Sequence, residues 1–455
     1  MANRGPYRWS GTAMRAPRAF VRTAMLAGLG GALLGLQPVQ AQKLKSLPTD
    51  PSAVSPPQLK DHFLADRLPE KPAVSPFATI PLDSLHFAAP NPVYLGHRFT
   101  MASLDFLDED HLLFTFRIPG LIRRAPGEEG EDDRHTIRAV VLSIPSGAID
   151  ARATWVLHGR DRYIWPLKGG RFLLRDGRVL SAGDARLRIK PYLSFPGPLL
   201  DIGMDPDDQY LVTNSREPAP AGSKISTPDE GSVDDQNSGA PDVVLRVFRR
   251  ASGDVLNVTR VHAVARIPLD SQGLLEALKG YSNQWSINLN QFTGGKRQVA
   301  RVISQCMPRL DFVSNGELLA TTCKPEGGFG LIGIATSGQL LWQDSTSQYS
   351  VWPILRRSET GLRFLRESLA VTREIGTTWA LDRSDVKAQR VRVFNAADGT
   401  VAFEATADPV LDAGGNAAIS PSGRRVALLS NGHIQVFNLS SPPAIPAAVG
   451  RAAAK

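Results

Sequence analysis

The chain has 455 residues, 42% of them hydrophobic, a formal net charge of +8 and only two cysteines. Five of the excess positive charges, Arg4, Arg8, Arg15, Arg18 and Arg22, lie in the first 41 residues, which hold no acid, leaving +3 for the rest. A body this close to neutral gives no warrant for a nucleic-acid partner.

The first segment has the layout of a secretion signal. Behind the arginines, Ala24 to Leu36 run without a charge, and Val39-Gln40-Ala41 places small residues at −3 and −1. Cleavage is therefore expected between Ala41 and Gln42, with residues 1–41 as signal peptide. The apolar run falls short of the roughly 20 residues that span a bilayer, and Gly28, Gly30, Gly31 and Gly35 weaken it as a helix. No cysteine stands at the cut to carry a lipid. The expectation is a periplasmic or secreted protein with no membrane span after cleavage.

Residues 42–92 form a Pro-rich lead-in, with Pro48, Pro51, Pro56, Pro57, Pro69, Pro72 and Pro76 interrupting helix and strand alike. From 93 to 441, short apolar strands alternate with turns containing Gly, Asp and Ser, the punctuation of an all-β domain. Ser271 to Lys279 is the best candidate for a short amphipathic helix. Residues 215–242, rich in Pro, Ser and Gly, read as a solvated insertion. Residues 442–455 read as a loose tail.

Two units recur. One is an apolar residue, a polar turn and an apolar strand, as in Leu104 to Leu113, Ile202 to Leu211, Leu310 to Leu319 and Ala418 to Ala427. The other is a strand running into a turn that ends in Gly, at Gly147, Gly253, Gly338 and Gly399. A third echo pairs Tyr163-Ile164-Trp165-Pro166-Leu167 with Ser350-Val351-Trp352-Pro353-Ile354, about four periods of ~45 residues apart. Each unit reads as one small antiparallel sheet that must stack on its neighbours to cover its faces. Units beginning near 104, 163, 201, 265, 310, 350 and 416 predict a β-propeller of seven blades, with six or eight as alternatives. A strand near Ile80 to Phe87 or Tyr94 to Thr100 would complete the last sheet and close the ring.

The turns Asp205-Pro206-Asp207-Asp208 and Ser420-Pro421-Ser422-Gly423 resemble those of WD40-like and quinoprotein-like bacterial propellers. Ala335-Thr336-Ser337-Gly338-Gln339-Leu340-Leu341-Trp342 is similar to a quinoprotein-type repeat. The chain as a whole resembles exported propeller proteins of soil bacteria. The resemblance covers most of 100–440 and implies the fold more than an activity.

Candidate chemistry is sparse. Gly328-Phe329-Gly330-Leu331-Ile332-Gly333 matches a dinucleotide fingerprint, but a strand and not a helix follows it. The acidic runs Glu128 to Asp133 and Asp229 to Asp235 lack the spaced ligand ladder of a calcium loop. The eight histidines form no metal or haem motif, and no G-x-S-x-G elbow occurs.

Cys306 and Cys323 flank the Asn315-Gly316 turn. A disulfide is expected, either directly across the hairpin or diagonally, depending on which residues form the turn. Tyr163, Trp165, Trp352 and Arg160 are the candidate ligand contacts, in an aromatic-Pro setting that serves either packing between blades or stacking at a channel mouth.

These features predict a monomeric binding or scaffold module for a protein, peptide or glycan, with no cofactor, no metal and no catalytic residue. A periplasmic propeller enzyme, either a metal-dependent lactonase or hydrolase or a quinoprotein-type oxidoreductase, is the competing class.

Overall fold

The computed structural model describes residues 74–89, 102–118, 134–159, 161–218, 242–261, 264, 266–325, 327–345, 354–372, 383–411 and 413–442. Within them lie seven antiparallel sheets. Blade 1 is β2 (Ala102–Phe106), β3 (His111–Arg117), β4 (Arg134–Ser143) and β5 (Ile149–His158). Blade 2 is β6 (Ile164–Leu167), β7 (Arg171–Asp176), β8 (Val179–Asp184) and β9 (Ile189–Ser194). Blade 3 is β10 (Leu199–Met204), β11 (Tyr210–Arg216), β12 (Val243–Arg249) and β13 (Asp254–Val261). Blade 4 has three strands among the described residues, β14 (Gly273–Lys279), β15 (Gln284–Gln291) and β16 (Lys296–Ile303). Blade 5 is β17 (Arg309–Ser314), β18 (Glu317–Cys323), β19 (Phe329–Ala335) and β20 (Leu340–Ser345). Blade 6 is β21 (Ile354–Arg357), β22 (Arg363–Val371), β23 (Val386–Asn395) and β24 (Val401–Ala407). Blade 7 joins β25 (Ala417–Ile419), β26 (Arg425–Ser430) and β27 (His433–Asn438) to β1 (Ala78–Pro81) from the N-terminal side.

The strand periodicity explains the ring. Alternate residues of a strand point to opposite faces, and here both faces are apolar. Leu113 of β3 packs with blade 2, while its neighbours Leu112 and Phe114 pack with blade 7. The same division recurs around the molecule. Seven apolar clusters fill the interfaces between blades 7 and 1, 1 and 2, 2 and 3, 3 and 4, 4 and 5, 5 and 6, and 6 and 7. Each blade thus contributes to two cores, and the succession closes on itself. This is an all-β, seven-bladed propeller.

Closure depends on β1, which pairs antiparallel with β27, Ala78 opposite Val436 and Ile80 opposite Ile434. Ile80 is buried in the cluster between blades 7 and 1. The residues Tyr94 to Thr100, the alternative closing strand, lie outside the described residues.

Two motifs read from the sequence find physical explanations. The turn glycines Gly147, Gly253, Gly338 and Gly399 all adopt positive φ, a region that costs side chains with a Cβ. Each precedes the outermost strand of its blade, and a bulge interrupts the pairing that follows. The glycines of the dinucleotide-like run lie in or beside β19. A Cβ on Gly333 would meet the ring of Trp342 at 2.4 Å, and one on Gly399 would meet it at 2.5 Å. Trp342 is instead stacked on Phe364 (5.9 Å between centroids), which stacks on Phe394 (5.1 Å). These glycines make room for an inter-blade aromatic stack.

One expectation is corrected. Ser271 to Lys279 is not a helix; Gly273–Lys279 is β14, with Leu269 bridging to its Leu274 on the inner side. Its Leu and Ala suit a helix locally, but pairing with β15 along its whole length overrides that preference. The insertion also begins later than expected, since β11 continues through Arg216.

The disulfide joins Cys306 to Cys323, with Cα atoms 5.5 Å apart. Asn315 and Gly316 are the two turn residues, since Ser314 pairs with Glu317. A bulge at Val313 then moves the register by one, so that Arg309 pairs with Thr321. The bridge therefore runs from the connection before β17 to the end of β18, matching neither regular register exactly paired across the hairpin.

Two stability outcomes are expected. Ile80→Ala should cost about 2–5 kcal/mol in urea unfolding, against less than about 0.5 kcal/mol for Val156→Ala on the exposed face of β5. Replacing both cysteines by Ala should cost about 3 kcal/mol, as expected for a closed loop of this length, and reduction of the parent protein should reproduce that loss.

Candidate functional site

The innermost strands β2, β6, β10, β17, β21 and β25 surround the axis, and in blade 4 the segment 266–269 takes that place, Leu269 bridging Leu274 on the inner edge of β14. The connections that lead into them define an entry face, and the turns that follow them define an exit face. Three of these strands carry an Asp directly after a Leu: Leu104-Asp105-Phe106, Leu200-Asp201-Ile202 and Leu310-Asp311-Phe312. Blade 6 carries Arg356 in the corresponding place, after Leu355.

At the exit face, contacts cross the ring. Arg357 of blade 6 donates from Nη2 to the backbone oxygen of Asp205 in blade 3 at 2.6 Å. Asn315 of blade 5 donates to the Asp207 carboxylate, which also pairs with Lys168 of blade 2 at 2.9 Å. The Lys168 amide donates to Asp208 at 2.6 Å. The hydrogen bond from Lys168 holds the Asp207 carboxyl below its usual range. Burial lowers the Arg357 guanidinium and raises the Asp205 carboxyl, so both groups sit deep in the ring. Blades 2, 3, 5 and 6 are thereby tied together over the axis.

Deeper, a buried polar chain links blades 1, 6 and 7. Ser103 Oγ donates to Asp105 at 2.6 Å, and Arg356 Nη1 donates to the same carboxylate at 2.8 Å. Arg356 Nε lies 3.5 Å from Glu367. Gln389 Nε2 donates to Glu367 at 2.9 Å, and Gln389 Oε1 accepts from Asn416 Nδ2 at 2.7 Å. Burial drives the Glu367 carboxyl up to about 7, more than offsetting the pull of Arg356.

Toward the entry face stands Arg162. Its charged neighbours are Arg356 of blade 6, Asp105 of blade 1, Asp201 of blade 3 and Arg266 before blade 4. A side chain that senses charges from these four blades stands near the axis. Its side chain is exposed. Its Nε donates to the Ile164 oxygen at 2.9 Å, and its guanidinium lies 5.3 Å from the Trp165 ring. Burial and then repulsion by Arg356 lower it to about 10, leaving it charged at neutral pH. Asp201 is raised by burial against the attraction of Arg266 and Arg162.

The two described aromatic candidates lie in inter-blade cores. Tyr163 is 3% exposed, hydrogen-bonds through its hydroxyl with Thr115 at 2.9 Å and is pushed up to about 12 by burial. Trp165 is 5% exposed among Phe195, Leu199 and Phe248, between blades 2 and 3. Arg160, Trp352 and the cleavage site Ala41/Gln42 lie outside the described residues, as do the acidic run Glu128 to Asp133 and residues 219–241.

No protein-family model matches this sequence, and no curated protein matches it. Among solved structures, the chain is similar to Chaetomium thermophilum Sqt1 bound to the N-terminus of the ribosomal protein L10. That match has 12% identity and a TM-score of 0.40, covering 80% of this chain and 100% of the other. It is also similar to a chain of the mitotic checkpoint complex, with 11% identity and a TM-score of 0.39 over 88% and 99% of the two chains. A third match, Kluyvelomyces marxianus Hsv2, has 13% identity and a TM-score of 0.35 over 59% and 69%. The blade count here rests on the sheets themselves.

Sequence reasoning passed over Arg162, Asp201, Arg356 and Glu367. For Asp201 and Arg356 the readable signal is a charged residue among apolar ones in the innermost strand of a repeat.

The Glu367 carboxyl gives a pH signature. Its folded value of about 7 lies above the ordinary 4.5, so folding favours the protonated form. The stability it contributes is full below pH ~4.5 and is lost as pH rises through about 7. Glu367→Gln should remove this component, so the stability difference between variant and parent should shift in the variant's favour from pH 4.5 to 7.5 in urea titrations.

Proposed function

We propose that this chain is an exported binding or scaffold module, periplasmic or secreted, that takes a protein, peptide or glycan ligand at the entry face of its channel. The observation that carries the reading is the asymmetry of the axis. The exit face is laced by side chains from blades 2, 3, 5 and 6, whereas the entry side holds a solvent-exposed, preorganised guanidinium, Arg162. Export is supported by the arginine-led apolar leader, and by a disulfide of the kind that persists in oxidising compartments.

Binding suits this arrangement better than turnover. Among the described residues no three His, Cys, Asp or Glu side chains gather where they could hold a metal ion, and the axial carboxylates are engaged with arginines. A rigid ring offering fixed charges at its mouth gives orientation and recognition at low entropic cost.

The test has two arms. Fractionation of cells producing the full chain should place a shortened protein, beginning at Gln42, outside the cytoplasm. The purified mature chain should bind members of a peptide or glycan array, and Arg162→Gln should weaken that binding about tenfold or more. Saturable hydrolysis of an ester or lactone, abolished by an axial substitution, would replace this reading with the enzymatic one.

A further inference from the structure

The segment that closes the ring also builds one wall of a cavity. Beyond β1 the chain makes the short 3-10 turn Asp83–Leu85 and buries Leu85 in the apolar cluster between blades 7 and 1. His86, which ends the turn, adopts φ 56° and ψ 38°, the left-handed region that favours glycine. An imidazole is thus carried where the backbone alone would select a residue without a Cβ, the kind of outlier that points to a role for the side chain.

Opposite this turn stands the outer half of blade 1. In β4 and β5, Arg138 pairs with Thr154 and Val140 pairs with Arg152. Strand alternation puts these four side chains on one face, and Val140 shares its apolar cluster with Leu85, so that face looks toward blade 7. Between the turn and the two strands lies a cavity of about 370 Å³, whose lining includes Leu85, His86, Arg138, Val140, Arg152 and Thr154. That size falls within the roughly 300–1,000 Å³ of small-molecule sites. Leu85 and Val140 are buried and supply an apolar floor. Arg138 is half-buried, while His86, Arg152 and Thr154 are exposed and put donors at the opening.

The spacing of the two arginines narrows the ligand. Diagonal positions on neighbouring strands are about 7–8 Å apart, close enough for two long side chains to converge on one group. Their like charges repel, and an anion between them relieves that repulsion. A carboxylate has two oxygens, and a single guanidinium fork occupies both. A phosphate monoester has three terminal oxygens, enough for both forks with the Thr154 hydroxyl or the His86 imidazole on the third. Its ester oxygen then leads to a carrier that the apolar floor can cover.

We propose that this cavity binds a phosphate monoester carried on a small apolar body, held by Arg138 and Arg152 and walled on the other side by His86. The site is distinct from the axial entry face and adds a second ligand to the binding reading. Because one wall belongs to the closing segment, the bound ester also braces the ring.

Isothermal titration calorimetry on the purified protein tests this with phenyl phosphate as probe, alongside inorganic phosphate and benzoate. Phenyl phosphate is expected to bind more tightly than either, and Arg138→Gln or Arg152→Gln should weaken it about tenfold or more. Arg301→Gln, an exposed position on β16 of blade 4, should leave it unchanged. His86→Gly suits the backbone, so it should lower affinity to a lesser degree without lowering the unfolding temperature. Phenyl phosphate should raise the unfolding temperature of the parent and fail to do so in Arg152→Gln, whose exposed position keeps the test decisive if Arg138→Gln disturbs the sheet. Phosphatidylcholine vesicles containing phosphatidic acid separate two carriers of the same group. Co-sedimentation lost in Arg152→Gln assigns a lipid headgroup, and phenyl phosphate binding without co-sedimentation assigns a soluble ester. Undiminished affinity in both arginine variants would overturn the site. Benzoate binding as tightly as phenyl phosphate would overturn the phosphate, and inorganic phosphate binding as tightly would overturn the apolar carrier. Absence of saturable binding by every probe would overturn the proposal as a whole and leave the axial reading standing.

Discussion

The structure depends on one constraint: every sheet is apolar on both faces. Leu112 and Leu113 are adjacent in β3 and both are wholly buried, yet they enter different cores. A single four-stranded sheet with that pattern cannot satisfy itself in water, and neither can an open stack, whose terminal faces would remain wet. A ring leaves no terminal face. The seventh interface therefore costs the ordering of a remote N-terminal segment, and the burial of Ala78 and Ile80 offsets it. Sequence-distant closure also means that the last blade is the one whose core draws on both ends of the domain.

The polar interior follows from the same geometry. Strands nearest the axis are crowded, and their channel-facing positions have no apolar partner across the gap. Charged residues placed there must therefore find each other across blades. Arg356 reaching Asp105 spans the closure blade, and the path through Glu367, Gln389 and Asn416 runs alongside it. Removing one member would strand its partners in a low-dielectric setting, so this network acts as a register for how blades 6, 7 and 1 meet. It is specific where the apolar clusters are merely adhesive.

The strand units, the turn glycines and the need for a closing N-terminal strand were legible in the chain because each expresses local physics: alternation, positive φ and unpaired edges. Seven repeats could be counted even where spacing was uneven. In the weak unit near 265 only an isolated bridge at Leu269 stands inside β14, and the Leu-Leu-Glu-Ala-Leu composition of β14 imitates a helix because propensity ignores pairing partners. The site was less legible. Tyr163 and Trp165 drew notice as large aromatics beside proline, and the fold buries both. The neighbouring Arg162 did not stand out, since its charged surroundings are contributed by blades 1, 3, 4 and 6. Local sequence records what a strand does; it does not record which strands meet at an axis.

The two ends of the axis also differ in how their charges are treated. At the exit face, Lys168 and Asn315 both donate to the Asp207 carboxylate, and Arg357 donates to the Asp205 backbone oxygen. Such cross-blade contacts rigidify a structure, and a ligand would have to break them to gain new bonds. Arg162 stands in the opposite condition, positioned by a backbone acceptor and an aromatic face but with its terminal nitrogens uncommitted. A propeller built this way is laced at one end and presents an exposed guanidinium at the other, and that difference gives the ring a direction.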